Sequence, residues 1–106
     1  MHLKNFLDYI SKEKRYSIHT LTSYKTDLNQ FFLFLNTEFS ISTPNKVTFK
    51  MIRNWISHLL ESGLKSVSVN RKISSIKSYF KFIEISGFSE YNPTLKITSP
   101  KTSKRL

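Results

Sequence analysis

Between Ser66 and Ser86 the apolar residues Val69, Ile73, Ile76, Phe80 and Ile83 recur at spacings of four and three. That is the repeat of one face of an α-helix, about 3.6 residues per turn. A strand alternates its faces every second residue and cannot carry such a stripe. Nothing breaks the stripe, because the 106-residue chain has only two glycines and three prolines and none lies inside this stretch. A chain built this way is restricted to helices that bury their apolar faces against one another.

The same pattern marks three more helices. The first covers about residues 2 to 14, with Leu3, Phe6, Leu7 and Ile10 in register and Lys12, Lys14 and Arg15 where cations suit a helix C-terminus. The second starts after Ser17, a good N-cap, and runs to about Asn36. Leu21, Tyr24, Leu28, Phe31 and Leu35 form its stripe, Phe32 widens it, and Leu33 and Phe34 lie off it. Residues 37 to 47 read as a loop. Thr48 then caps a third helix ending near Ser62, with Ile52, Ile56, Leu59 and Leu60 toward the core and Met51 and Trp55 on the flanks. Gly63 and Gly87 sit where helix C-termini favour a left-handed residue. Asn92-Pro93 breaks any continuation of the fourth helix. Lys96 to Leu106 holds Lys96, Lys101, Lys104, Arg105 and Pro100 and no acid, which reads as a basic linker. The expected organisation is an all-α domain over residues 1–95, followed by the start of a linker at 96–106.

The net charge of +10 is unevenly spread: residues 1 to 62 carry +3 and residues 63 to 106 carry +7. Such an excess suits a polyanion whose phosphates the cations neutralise, and double-stranded DNA is the expected partner. An anionic membrane surface is the lesser alternative. The absence of cysteine excludes disulfides and thiolate metal sites and fits a reducing cytoplasm. No apolar run approaches the roughly 20 residues that span a bilayer, and the N-terminus lacks the pattern of a signal peptide. His2, His19 and His58 stand apart in sequence, without carboxylates at metal-ligand spacing, and there is no glycine-rich phosphate loop. No catalytic residue, metal or cofactor is expected.

The stripe of the fourth helix fixes what lies opposite: Arg71, Ser74, Ser75 and Ser78, flanked by Asn70, Lys77 and Lys81 on one side and by Ser68 and Lys72 on the other. Small hydroxyls let a backbone approach a groove, long cations reach phosphates, and Arg and Asn match guanine and adenine edges. The second helix presents His19, Thr22, Thr26 and Asn29, with Ser23, Lys25 and Gln30 nearby. The expected DNA-contacting set is His19, Thr22, Ser23, Lys25, Thr26, Asn70, Arg71, Ser74, Ser75, Lys77 and Lys81. An ordinary solvated surface is the competing reading of both faces. Asp27, nearer the core side, is expected to partner a cation or a backbone group. Phe82 and Ile85, read as outward, together with Phe34 raise a second possibility, a helical protein-interaction module; a stand-alone DNA-binding regulator is a third.

Three blocks carry a family resemblance. In the first, Thr20, Tyr24, Asp27, Leu28 and Phe31 follow one another at fixed spacing; the second runs from Ser68 to Phe82; the third joins Asn92-Pro93, Ile97, Pro100-Lys101 and Lys104-Arg105-Leu106. In this order they resemble the core-binding, SAM-like N-terminal domain of tyrosine recombinases, the phage integrases and Xer-type enzymes. The resemblance covers Phe6 to Leu106. It implies a bundle of four or five helices, as two antiparallel pairs crossing steeply, with the second and fourth helices facing the DNA major groove. It also implies a C-shaped clamp made with a separate catalytic domain, and contacts with other subunits in a synaptic tetramer. The family's catalytic Arg, Lys, His and Tyr belong to that other domain, so no tyrosine of this chain inherits the nucleophile's role. The fragment is expected to be no enzyme by itself, and its parent to be a recombinase.

Overall fold

The computed structural model describes residues 1–98 and Pro100. Among these residues the structure holds four α-helices and one 3₁₀ turn: α1 (Leu3–Glu13), α2 (Ile18–Phe39), the turn at Pro44–Lys46, α3 (Phe49–Glu61) and α4 (Ser66–Ile85). The expected all-α bundle is what forms.

The helix starts follow the local chemistry. The Ser17 hydroxyl accepts from the Thr20 amide and the Thr48 hydroxyl from the Met51 amide, so each satisfies one amide that the first helical turn leaves without a partner. Gly63 and Gly87 adopt φ of +101° and +80°. The amides that follow them reach back to Leu59 and Ile83, closing α3 and α4. α2 runs three residues further than its pattern indicates, to Phe39, because its stop is not a glycine. Ser40 takes the left-handed conformation at φ +56°, and the Ile41 amide bonds back to the Leu35 carbonyl. Such a conformation costs a non-glycine residue about 1–2 kcal/mol. The contacts of Phe39 and Ile41 against the core offset it.

α2 and α4 each pack against all three other helices, so they form the spine of the domain. Val69, Ile73, Ile76, Phe80 and Ile83 of α4 are all buried, as their spacing predicts, against Leu28, Phe31 and Leu35 of α2 and Ile52 of α3. Two expectations are corrected by packing. Trp55 is a core residue 4.9 Å from the Phe31 ring, whereas Leu60 is exposed. α3 is therefore rotated, so that Ile52, Trp55 and Leu59 face inward. Phe82 is buried rather than outward, because α1 lies over that side of α4 and sets Phe6 and Tyr9 against its ring at 5.6 and 5.0 Å. The core thus occupies two sides of α4, one toward α2 and α3 and one toward α1.

Packing also continues past residue 95. Ile97 is buried in the core cluster, beyond the boundary expected at Lys96. Lys101, Lys104 and Arg105, expected to belong to a linker, lie outside the described residues.

Candidate nucleic-acid interface

The side of α4 left uncovered by the core meets the neighbouring side of α2 in a groove of about 270 Å³. Thr20, Ser23, Tyr24 and Asp27 line it from α2, and Arg71, Ser74 and Ser75 from α4. Two helices with short side chains at their junction leave such a channel, and these chains supply it with hydroxyls.

Asp27 forms its floor. The carboxylate is completely buried, which is costly unless its oxygens are satisfied. α4 satisfies both. Lys72 Nζ donates to Oδ1 at 3.0 Å, while Arg71 Nη1 and the Ser75 hydroxyl donate to Oδ2 at 3.1 and 2.8 Å. Lys72 makes a second bond to Gln30 Oε1 at 2.6 Å, and only 7 % of its side chain is exposed. Arg71 differs from its neighbour: 52 % of its side chain stays in solvent at the mouth of the groove. One carboxylate between two cations leaves the cluster with a surplus positive charge at that mouth.

The residues expected to meet DNA therefore separate into three groups. His19, Thr22, Ser23, Lys25 and Thr26 are exposed along α2, and Arg71, Ser74 and Lys81 along α4. Ser75 is buried and its hydroxyl donates to Asp27. Asn70 and Lys77 are half-buried and turned to the C-terminal segment. The Asn70 amide donates to the Pro100 carbonyl at 3.2 Å, and the Lys77 ammonium to the Ile97 carbonyl at 3.1 Å. Lys72, placed on an outer flank by helical geometry alone, belongs to the interior.

Thr20 and Tyr24 also line the groove, outside the expected contact set. Both stand in the first recombinase-like block, which was the available signal. Lys14 lines an adjoining hollow with Lys81, Tyr16 and Tyr24. In the same hollow the Tyr16 and Tyr24 rings stack at 5.7 Å. Burial raises the Tyr24 phenol above its ordinary value, while the Ser78 hydroxyl beside it pulls the other way, so Tyr24 is a neutral wall of the groove.

The profile of the phage integrase N-terminal SAM-like domain matches residues 3–86, which includes all four helices. The chain belongs to that family. Curated relatives similar to it include a tyrosine recombinase XerC of Oceanobacillus iheyensis, 38% identical over 104 residues and covering 98% of this chain and 34% of the relative. A tyrosine recombinase XerD of Rickettsia bellii is 37% identical over 108 residues, covering 98% of the chain and 33% of the relative. A XerC of Thermodesulfovibrio yellowstonii is 36% identical over 105 residues, covering 99% and 33%. The chain thus spans about a third of the length of the curated relatives it matches. No solved structure matches it significantly. Among the described residues no group of side chains is arranged to hold a metal ion, and no helix is long and apolar enough to cross a membrane.

Proposed function

We propose that this chain is the core-binding domain of a tyrosine site-specific recombinase and grips one recombination half-site of duplex DNA through α2 and α4. The observation that carries this reading is the α2–α4 groove, which offers a surplus cation and several hydroxyls on a chain of net charge +10. His19, Thr22, Ser23, Lys25 and Thr26 on one wall, and Arg71, Ser74 and Lys81 on the other, are the contacts proposed. Phosphate binding by the free cations supplies affinity and register, and base edges supply specificity. The catalytic step belongs to a further domain of the parent recombinase, reached through a linker that begins after the Ile97 anchor. The cytoplasm, where the DNA is, is the proposed location.

Binding of the chain to labelled duplex DNA over a salt series tests the reading. The logarithm of affinity should fall linearly with the logarithm of salt, by close to one unit for each phosphate neutralised. A salt-independent affinity, or none, would overturn it.

A second surface has its own support. Ile85, Phe88, Tyr91 and Leu95 are exposed around the C-terminal end of α4, with Ile85 at 60 % and Leu95 at 77 %. Contact with other recombinase subunits is the role proposed for them, alongside DNA binding. Sedimentation of the chain on duplexes carrying one or two half-sites would check it: Leu95→Ser should weaken the two-copy complex and spare the one-copy complex.

A further inference from the structure

We infer that Asp27 is a positioning residue for DNA recognition: it holds Arg71 as a fixed two-pronged donor aimed at a guanine edge in the major groove. The inference rests on the proposed DNA-binding role and adds a specificity-determining pair to it.

A long side chain on a surface helix normally samples many rotamers, and ordering it at a base costs conformational entropy that weakens binding. Arg71 is not in that position. Its Nη1 is tied to Asp27 Oδ2, an oxygen that is itself fixed by the Ser75 hydroxyl within a fully buried carboxylate. The other oxygen is held by Lys72, which is braced in turn on Gln30. Arginine carries five N–H donors, so one bond to Asp27 leaves the rest of the fork at the groove mouth. The two acceptors of guanine, O6 and N7, fit such a fork. Lys25 and Lys81 lack any such bond among the described residues and suit phosphates, which need a charge and not an orientation. The surrounding Thr20, Ser23 and Ser74 side chains are short enough to let a base edge approach.

Asp27→Asn separates this idea from simple electrostatics, because the two act on different quantities. Removing an acid from a basic protein should tighten binding to any DNA. Removing the holder of Arg71 should weaken discrimination between DNAs. The measurement starts from a labelled duplex pool randomised over about one helical turn, ~10 base pairs, and enriches it on the wild-type chain. Selected and unselected duplexes are then titrated by fluorescence anisotropy. Wild type should enrich a guanine at a fixed position. Asp27→Asn should cut the selected-to-unselected affinity ratio by roughly tenfold, while affinity for the unselected pool holds or rises. In an Arg71→Ala background Asp27→Asn should change the ratio no further.

Circular dichroism establishes whether Asp27→Asn is folded. If it is not, Ser75→Ala serves instead. It keeps both cations and removes one of the two donors to Oδ2, leaving Arg71 as the other, and should lower the ratio about two- to threefold. An unchanged ratio in the folded variant sinks the inference alone, as does a pool from which wild type selects nothing. An equal loss in the Arg71→Ala background sinks it too, since Asp27 would then act through the fold. A wild-type chain that binds neither duplex removes the DNA reading itself.

Discussion

The two flanks of α4 carry the same kinds of side chain and use them differently. On one flank Arg71, Ser74 and Ser75 open into the groove shared with α2; on the other Asn70 and Lys77 face the C-terminal segment. The first flank has one internal anion for two cations and is left with charge to offer. The second gives its donors to the carbonyls of Pro100 and Ile97, backbone of the same chain. An amphipathic pattern reports which side of a helix is polar. Whether the polar side meets an outside partner depends on what else in the chain reaches it.

The largest test of this contrast is the carboxylate beneath the first flank. Asp27→Ala leaves Lys72 buried without its counter-ion, which should destabilise the domain by about 3–5 kcal/mol. Urea unfolding measures it, and a loss below about 1 kcal/mol would show that the cluster does not bind the spine together. Arg71→Ala removes the half-exposed member instead. It should weaken duplex binding by about 1–3 kcal/mol and move the unfolding midpoint far less than Asp27→Ala does. Lys77→Met is the matching change on the second flank. It loses one hydrogen bond, and about 0.5–1.5 kcal/mol of stability with it. Hydrogen exchange should quicken around Ile97, and duplex affinity should change less than in Arg71→Ala. If Lys77→Met impairs binding as strongly, the flanks are not distinct.

The smallest effect near neutral pH concerns the buried α1 side of α4. The Tyr79 hydroxyl donates to the Met1 carbonyl at 2.6 Å, and burial lifts its pKa far above the ordinary value of 10.0. A group whose pKa is raised on folding stabilises the native state fully below its unfolded value, and that stability is lost as pH climbs toward the folded value. Stability should therefore fall with rising pH from about 10 upward. Tyr79→Phe should flatten that slope without restoring the lost hydrogen bond, as alkaline denaturation followed by circular dichroism will show.

Much of this was legible in the sequence because it is local. The α4 stripe, the caps at Ser17 and Thr48 and the glycine stops need only neighbours within one or two turns. Asp27, inward in an otherwise polar stretch, signalled a buried partner for a cation. What escaped was set by distant chain. Ser75 looked outward until α2 brought a carboxylate beneath it. Helical period alone leaves Asn70 and Lys77 free; the carbonyls of Pro100 and Ile97 lie alongside and accept from them. Trp55 moved inward because α3 is turned by its two neighbours, and Phe82 because α1 covers it. The α2 stop at Ser40 carried no glycine to announce it. Helical period places a residue on an arc of its own helix, but the width of the buried arc is decided by how many other helices lean on it.

The seating of Ile97 also bears on effective concentration. A flexible tether lets its two ends wander over a distance that grows as the square root of its free length. Each residue drawn out of the tether and onto α4 shortens that wander. It also starts the search from a fixed point beside α4 rather than from an arbitrary point on the domain's surface. In the clamp that the family resemblance implies, this would raise the local concentration of one jaw about the other without any contact between them. The hydrogen bonds from Asn70 and Lys77 would then favour the proposed DNA binding through the length of chain they remove from solution.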